Sequence, residues 1–503
     1  MLKRFLSSVV AIGLSCILVN PTAYGAERKV IIGFHNTPGP AEHALIHGAG
    51  GKIKKQFTHL RAVSADILDS DLDALRSNPG IAYIEEDAVI QAIDPLSGGI
   101  RSLSVGTAQA ASIEYENAWS VSHIGSQIPH DLGVTGTGIK IAVLDTGIDY
   151  NHPDLDMNYA GGDNFISIDP NNHDPLDDSY NSHGTHVAGT IAAELDGAGV
   201  VGVAPEASIY AVKVLDGAGF GSVSSVVAGI DWAVANQMDI INLSMGFSTY
   251  FQSLADACEA ANAAGLVVVA AAGNSYGGPV MYPAALPSVI AVGATTIFND
   301  IGFMSATGPE IELTAPGLNV NSTIANGGYG FLGGTSQAAP HVTGVAALLM
   351  SMGVGDIDGN GVEDNNDIRQ YLQLTALDLG DPGVDTVFGY GLVTAPEPVI
   401  ENPITHLVVD KLKGKPKKSA ETATIEDGVF EIRIVNTSLS KIKVKVYEDE
   451  EKRRDLSEKY KFRKKDAPQE VVLTIDATGT SFDLVFIPKG KKGSVADVYI
   501  QMQ

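Results

Sequence analysis

Cysteine is nearly absent from this chain, which has two in 503 residues. Cys16 lies in an apolar N-terminal stretch with the composition of a cleaved export signal, so Cys258 alone is expected in the mature protein. No intramolecular disulfide can then form, and bound metal is the usual substitute in a secreted protein. Cys258 falls in an alanine-rich helical run, where we expect a buried apolar side chain rather than a reactive thiol.

Long apolar runs are also lacking. The run from Phe5 to Val19 is too short for a comfortable membrane span. It follows two basic residues and precedes small ones at Ala23, Gly25 and Ala26, which is the order of a secretory signal peptide, so we assign residues 1–26 to one. No other segment is long and apolar enough to cross a membrane, which predicts a secreted, extracellular protein without a transmembrane segment.

Positive charge is scarce as well, because 33 Lys and Arg stand against 59 Asp and Glu, a net charge of −26. Phosphates repel such a chain, which argues against nucleic acid as a partner. The acidic balance suits a secreted protein that binds calcium, and it equally suits one in which the charge only aids solubility.

The chain after the signal begins with a short region that has its own pattern. Residues 27–93 contain strand patterns at Lys29–Phe34 and Ile81–Glu85 and a helix start at Asp71, which indicates a small independent unit. Residues 94–112 are rich in Gly, Ser and Ala, as linkers are, and we expect a maturation cleavage within them.

Residues 113–399 alternate short apolar runs with helical stretches. Runs such as IKIAVLD, SIYAVKVL and LVVVAAAGN are apolar on both faces, as strands of a parallel sheet buried between helices are. The alternation therefore predicts an α/β domain with a doubly wound sheet.

Residues 400–503 differ in charge and in pattern, since they hold about 20 of the 33 Lys and Arg. Period-two alternation, as in KIKVKVYE and DVYIQM, predicts a small all-β domain of antiparallel strands, arranged as a sandwich. We interpret its lysine-rich stretches as a solvated face, with binding to an anionic polymer or surface as the alternative.

Three motifs carry the nucleophile, base and acid that peptide hydrolysis by serine needs. IKIAVLDTGID places Asp145 at the C-terminal end of a buried strand, where functional side chains emerge from an α/β sheet. NSHGTHVAGTIAA places His183 at a helix start, with Gly184 expected to let the backbone turn tightly. GGTSQAAPHV places Ser336 at the mouth of another helix, whose N-terminus favours developing negative charge.

Each motif has a plainer interpretation when it is taken alone. An Asp such as Asp145 is often a turn residue, a Ser such as Ser336 is often a helix N-cap, and His183 with His186 could bind metal. The zinc alternative lacks the glutamate of an HExxH motif. Asn274, just past the strand in VVVAAAGNS, supplies a side-chain amide that could join the Ser336 N–H at the oxyanion.

Together, in the order Asp, His, Ser, the motifs make residues 113–399 resemble the subtilase family. The stretch NPGIAYIEEDAVIQA, at the end of 27–93, resembles the inhibitor-type propeptides of that family. The resemblance implies a subtilisin-like parallel sheet between helices, preceded by a small α/β propeptide domain that inhibits the protease and assists its folding. It also implies a secreted, calcium-stabilised serine endopeptidase of broad specificity, made as an inactive precursor, and we expect a monomer. Gln337 departs from the Met that usually follows the nucleophile, without loss of a required role.

By the same resemblance, an extended substrate lies between two strands. The residues implied to border it are Leu215, Gly219 and Gly221 on one side and Ser244 to Gly246 on the other, with Met281 at the base of the P1 pocket.

Acidic loops are candidate calcium sites, because calcium prefers several oxygen ligands. AAELDGAGVVGVAP matches a calcium loop of the family. The resemblance implies side-chain oxygens from Asp154 and Asp196, carbonyls from Glu194, Ala198 and Val200, and a further ligand from Glu114 or Glu116.

DIDGNGVEDNND has the rhythm of an EF-hand-like loop, with Gly361 at the sixth position. Its candidate ligands are Asp356, Asp358, Asn360, Asp364 and Asp367, and the alternative is an acidic turn with Asp367 as a helix cap. A third acidic loop, with Asp169, Asp174, Asp177 and Asp178, is equally well interpreted either way.

Two other functions compete with an active endopeptidase that acts on protein or peptide substrates. One is a non-catalytic binding protein on a protease scaffold, with the C-terminal region as its working part. The other is a narrow processing enzyme that acts on one partner. All triad and oxyanion positions are filled, which favours the active endopeptidase.

Overall fold

The computed structural model describes residues 26–91, residues 110–396 except Ile168 and Pro170, and the strands between residues 405 and 502. The predicted signal peptide up to residue 25, and residues 92–109 of the predicted linker, lie outside the described residues. The chain divides into two units, Met1–Glu397 and Pro398–Gln503, and each is described by itself.

The first elements form a four-stranded antiparallel sheet, in the order β2-β3-β1-β4, with two helices. They are β1 (Glu27–Phe34), α1 (Pro40–Gly48), β2 (Lys52–Gln56), β3 (Ala62–Leu68), α2 (Asp69–Arg76), β4 (Ile81–Glu86) and the short β5 (Val89–Gln91). Because side chains alternate along a strand, Val30 and Ile32 pack with Leu72 of α2, whereas Ile31 faces the other way, into the core of the following domain.

The largest part of the chain is built on a seven-stranded parallel sheet in the order β13-β12-β11-β10-β6-β8-β7, flanked by helices. Its elements are α3 (Ala110–Asn117), α4 (Trp119–His123), α5 (Gln127–Asp131), β6 (Lys140–Asp145), β7 (Tyr159–Asn164), α6 (His183–Ala192), β8 (Ser208–Lys213), β9 (Phe220–Ser222), α7 (Val223–Ala235), β10 (Ile240–Leu243), α8 (Gln252–Ala263), β11 (Val267–Ala271), β12 (Ile290–Thr295), β13 (Leu313–Pro316), β14 (Val320–Ile324), β15 (Gly328–Leu332), α9 (Thr335–Met352) and α10 (Asn365–Thr375). The predicted α/β class is confirmed.

Both faces of this sheet are buried, which is why its strands read as continuous apolar runs. In β6, Ile141 and Val143 belong to the core that includes α6 and α9, while Ala142 and Leu144 belong to the core that includes α7 and α8. Helix α3 begins at Ala110, so it extends three residues into the predicted linker, whose end was placed at residue 112.

In the second unit, antiparallel strands form two sheets, one in the order β16-β24-β18-β22 and one in the order β17-β23-β19-β20, with β21 paired to β19. The strands are β16 (Thr405–Val408), β17 (Glu421–Glu426), β18 (Val429–Asn436), β19 (Lys441–Glu448), β20 (Glu451–Arg453), β21 (Lys459–Lys461), β22 (Gln469–Asp476), β23 (Ser481–Lys489) and β24 (Val495–Met502). They include the segments that showed period-two alternation. In the part of the chain that the structure describes, no helix is both long and apolar enough to cross a membrane.

Candidate active site

Asp145 and His183 form a buried pair at the end of the central strand. Asp145 is the last residue of β6 and His183 the first of α6, and the two are 0% and 1% exposed. His183 Nδ1 lies 2.7 Å from Asp145 Oδ1, which also accepts a hydrogen bond from the Thr146 N–H at 2.7 Å. A carboxylate in this position holds the imidazole ring in one orientation and, when it accepts from Nδ1–H, in one tautomer.

Gly184 is needed for a close approach rather than for the tight turn that we expected. It lies within α6, where an added Cβ would come 2.1 Å from Gly147 O and 3.1 Å from Asp145 Cβ. Its N–H donates to Thr146 Oγ1 at 3.0 Å. The left-handed residue is instead Ser182, the N-cap of α6, with φ 55°. Glycine at 184 therefore lets the helix start sit directly against the end of β6.

Ser336 is the second residue of α9 and is fully buried, and Gly334 takes the N-cap position. The interpretation of Ser336 as a helix cap is therefore wrong. Ser336 Oγ donates to Ser244 O at 3.1 Å, and Ser244 Oγ donates to Ser336 O at 2.8 Å. This reciprocal pair fixes the start of α9, where helix N–H groups favour negative charge, against the segment that follows β10.

Asn274 lies beside the start of α9, and hydrogen bonds to Thr335 define the orientation of its amide. Its Oδ1 accepts from the Thr335 N–H at 3.0 Å and from Thr335 Oγ1 at 3.1 Å. Its Nδ2 lies on the side of Gly334, where an added Cβ would approach it to 2.9 Å. Since the oxygen is engaged by Thr335, the donor end of the amide is turned toward the residues that precede Ser336.

The hydrogen bonds of His186 favour a core histidine over a metal ligand. Its Nε2 lies 3.0 Å from Val320 O and 3.2 Å from Gly330 O, so its ring is held by the β14–β15 hairpin. The side chain is completely buried, and burial lowers the pKa of His186 to about 3. A neutral, hydrogen-bonded core histidine explains this residue.

The predicted substrate-binding residues are distributed around the same region. Strand β5 pairs antiparallel with β9, which places Ile90 opposite Gly221. Leu215 is buried in the core that also contains Ile90, and Gly219 adopts a left-handed conformation with φ 80°. On the other side, Ser244 contacts Ser336, Gly246 is half-buried, and Met281 packs on Gly273, next to Asn274.

The first predicted calcium loop surrounds two buried carboxylates. Asp154 Oδ2 accepts from the Val200 N–H at 3.0 Å, and Glu114 Oε1 accepts from the N–H groups of Asp196, Gly197 and Ala198 at 2.7–3.1 Å. The side chain of Glu194 bonds the Met157 N–H instead. Of the two glutamates considered for a further ligand, Glu114 is buried at the loop and Glu116 is exposed.

Backbone N–H groups of the EF-hand-like loop donate hydrogen bonds to the side chain of Asp367. Asp367 is fully buried and accepts N–H groups of Ile357 and Asp358 through Oδ1 and of Asp364 through Oδ2. Oxygen atoms of Asp356, Asp358 and Asp367 lie within 4.8 Å of one another. The N-cap of α10 is Asp364, and Asp367 at the third helical position completes a capping box by accepting the Asp364 N–H, so Asp367 takes part in capping the helix, as the alternative expected. Asn360 bonds to both Asp358 and Asp364.

The third acidic loop does not bring its carboxylates to one point. Asp174 accepts from Tyr150 OH at 3.0 Å, and Asp178 pairs with Lys213 at 2.7 Å. Asp177 faces the interior and accepts from Ser179 and Thr185. The sequence interpretation named Asp177 only as a candidate calcium ligand and missed its buried position, because nothing in a run of acidic residues indicates which one turns inward.

The sequence matches the model of the subtilase family over residues 136–391. It is 40% identical over 375 residues to subtilisin E of Bacillus subtilis, covering 73% of this chain and 89% of that protein. It is 39% identical over 394 residues to a thermostable alkaline protease of Halalkalibacterium halodurans, covering 78% of this chain and 98% of that protein. An alkaline protease of Alkalihalobacillus alcalophilus is 41% identical over 383 residues, covering 74% and 91%. The fold, the buried Asp–His pair and these similarities agree, and the chain belongs to the subtilase family of serine endopeptidases.

Proposed function

We propose that the protein is a secreted endopeptidase of broad specificity in which Asp145, His183 and Ser336 form the catalytic triad. The observation that carries the proposal is the buried 2.7 Å contact between His183 and Asp145, in a chain of this family. In the reaction, His183 takes the Ser336 proton as Oγ attacks the scissile carbonyl, and Asp145 stabilises the imidazolium that forms.

Asn274 and the Ser336 N–H bind the oxyanion in this proposal. The orientation of the Asn274 amide supports it, because Thr335 holds the oxygen and the amide nitrogen lies on the side of Gly334, two residues before the nucleophile. Donors that are already oriented need no rearrangement when charge develops on the carbonyl oxygen. His183 then protonates the leaving amine, and water reverses the sequence.

Substrates bind as extended strands between Leu215, Gly219 and Gly221 on one side and Ser244, Gly246 and Met281 on the other. The pairing of β5 with β9 supports this proposal, because β5 is itself an extended segment that pairs with the strand edge at Gly221. Backbone hydrogen bonds supply most of such an interaction, which is why specificity is broad.

Residues 27–93 act as an inhibitory propeptide that is removed by cleavage within 94–112, after a signal peptide at 1–26. Two carboxylates at the end of this segment support the proposal, because each accepts N–H groups at the start of a helix of the following domain. Glu85 accepts from Gln252 and Ser253 of α8, and Asp87 accepts from Ser224 of α7. Both match the positive end of a helix dipole. Residues 113–399 are the catalytic domain, and 400–503 form a separate β domain.

Calcium is proposed at the first loop, held by side-chain oxygens of Glu114, Asp154 and Asp196 and by carbonyls of Glu194, Ala198 and Val200. These residues fit a cation because no positively charged side chain in the described part of the chain compensates their carboxylates. Glu114 Oε2 is buried and has no hydrogen-bond partner there. No ion pair among the described residues involves Glu114, Asp154 or Asp196. Burial raises the pKa of Asp154 to about 7. A bound divalent cation would compensate these charges and tie the loop to α3.

A second calcium ion is proposed at Asp356, Asp358, Asn360, Asp364 and Asp367. The clustered oxygens of three of these carboxylates support it. Asn365, next to the loop, donates to Asn262 O and Leu266 O, so order in the loop would extend to α8. If Asp356→Ala with Asp358→Ala left EDTA sensitivity and calcium stoichiometry unchanged, this second site would be wrong.

Replacement of the nucleophile tests the proposed function. Ser336→Ala should abolish both casein hydrolysis and removal of the propeptide, whereas Ser351→Ala, on the same helix, should alter neither. An unchanged rate of casein hydrolysis in Ser336→Ala would refute the assignment. A panel of fluorogenic peptides, with and without a serine-directed inactivator, separates broad specificity from a narrow processing enzyme and from a non-catalytic protein.

A further inference from the structure

A buried carboxylate outside the triad connects the strand end that carries Asp145 to the helix start that carries His183. Asp177 lies in the loop before α6 and is 6% exposed. Its Oδ1 accepts from the Ser179 N–H at 3.0 Å, from Ser179 Oγ at 2.6 Å and from Thr146 Oγ1 at 3.1 Å. Its Oδ2 accepts from the Thr185 N–H at 3.1 Å and from Thr185 Oγ1 at 2.6 Å.

Each of these partners is adjacent to the catalytic pair. Thr146 donates its N–H to Asp145 Oδ1, and its hydroxyl oxygen accepts the Gly184 N–H. Ser179 Oγ accepts the His183 N–H at 3.2 Å, so two consecutive hydrogen bonds join the Asp177 carboxylate to the His183 backbone. Thr185 lies in the first turn of α6. A shift of Asp177 would therefore move both members of the pair relative to each other.

Burial raises the pKa of the Asp177 carboxyl, and the hydrogen bonds from Ser179 and Thr185 lower it. In its ionised form, Asp177 also acts on the protonated state of His183. A helix N-terminus disfavours a cation, and His183 is the first residue of α6. A buried carboxylate that accepts the N–H of Thr185 offsets that field. It therefore favours the imidazolium that exists while the oxyanion is present.

We propose that Asp177 is a positioning residue for catalysis, which aligns His183 with Asp145 and stabilises the His183 imidazolium. The inference rests on the proposed triad.

The other titratable groups near α6 do not replace Asp177. The elements packed on α6 carry Lys140 and Asp145 on β6, Tyr210 and Lys213 on β8, and His341 on α9, with none on β14, and α6 itself carries His186. Lys213 donates to Thr146 O and pairs with Asp178. Burial lowers the pKa of both His186 and His341, so neither adds positive charge at neutral pH.

The test is Asp177→Asn, which keeps the shape, removes the charge and replaces one acceptor oxygen by an amide NH2 that cannot accept the bonds of Ser179 or Thr185. Asp174→Asn in the same loop is the matched control. In the mature enzyme, kcat should fall at least about tenfold with KM unchanged within about twofold. The acid limb of kcat/KM should move to lower pH by about half a unit or more, because loss of a nearby negative charge lowers the pKa of the imidazolium. Asp174→Asn should show neither change.

An Asp177→Asn enzyme with unchanged kcat and an unchanged acid limb overturns the proposal. A loss of kcat with a parallel rise in KM and no movement of the acid limb also overturns it, since that result indicates a general loss of order in the active site. If the variant does not mature, Thr185→Val removes two hydrogen bonds of the hydroxyl, the one it donates to Asp177 Oδ2 and the one it accepts from the Asp149 N–H, and keeps the charge of Asp177. It should lower kcat without moving the acid limb, and unchanged kcat overturns the proposal. Ser336→Ala, measured alongside, separates failure of this inference from failure of the triad.

Discussion

Asp231 anchors the 27–91 segment to helix α7, and its replacement should weaken that association strongly. The residue lies on α7 and is 5% exposed. Its carboxylate accepts from the Thr58 N–H at 2.8 Å and the His59 N–H at 2.7 Å, and it lies 3.0 Å from His59 Nδ1. All three contacts come from the loop between β2 and β3.

The expected magnitude follows from these contacts. A hydrogen bond contributes about 1 kcal/mol net, and somewhat more when one partner is charged. Asp231→Ala removes three contacts and leaves two backbone N–H groups of the segment facing an apolar methyl group. The loss should be at least about 3 kcal/mol, which corresponds to about 100-fold weaker binding.

The assay is inhibition of the mature enzyme by residues 27–93 added as a separate chain, measured with a fluorogenic peptide. Asp231→Ala should raise the inhibition constant about 100-fold without changing kcat/KM of the uninhibited enzyme. Glu259→Ala, an exposed position on the neighbouring α8, is the matched control and should change neither value. In the segment itself, His59→Ala keeps both backbone bonds and should cost about tenfold. A change below threefold for Asp231→Ala would refute the reasoning.

Other buried groups lead to further predictions. Gln337 is fully buried and neither amide atom has a hydrogen-bond partner, so Gln337→Met should raise the free energy of unfolding by about 1–3 kcal/mol, measured by urea denaturation. Burial lowers the pKa of His186 to about 3 and of His341 to about 4, below the ordinary 6.5, so the unfolded chain binds more protons between those values. The free energy of unfolding should therefore fall as pH drops below 6.5, by up to about 1.4 kcal/mol per pH unit for each histidine, and His341→Asn should reduce that slope. Burial raises the pKa of the Cys258 thiol to about 12, so intact-mass analysis at pH 8 should detect no alkylation by iodoacetamide until urea is added.

Local sequence patterns were sufficient to predict those elements whose structure is decided by neighbouring residues. The buried strand before Asp145 and the helix after His183 follow from apolar periodicity, and the end of a parallel strand is where such side chains emerge. Alternation with period two likewise indicated strands such as β18 and β24. These elements are visible in sequence because burial on known faces dictates the residue pattern.

Long-range contacts could not be predicted from local sequence patterns. Asp177 and Asp178 are adjacent, yet one is buried behind the helix start and the other pairs with Lys213. Asp231 sits in the otherwise apolar pattern of α7, and only the tertiary fold brings the β2–β3 loop to it. The choice of Glu114 over Glu116 depends on which side of α3 faces the loop, which packing decides.

The register of the central sheet has a consequence for the order of folding. Ile141 pairs with Ile240, whereas Ile32 in the N-terminal sheet pairs with Val63, so the central pairs close far longer loops. Pairs separated by about 100 residues form slowly, because the chain entropy is lost before the contact is gained. The N-terminal sheet can therefore form first, and its Ile31 face, which is buried in the core with α7 and α8 in the folded chain, would then be open to those helices. If the proposed maturation removes the N-terminal sheet, the remaining chain would regain its central sheet slowly after unfolding, and its working lifetime would then depend on how slowly it unfolds.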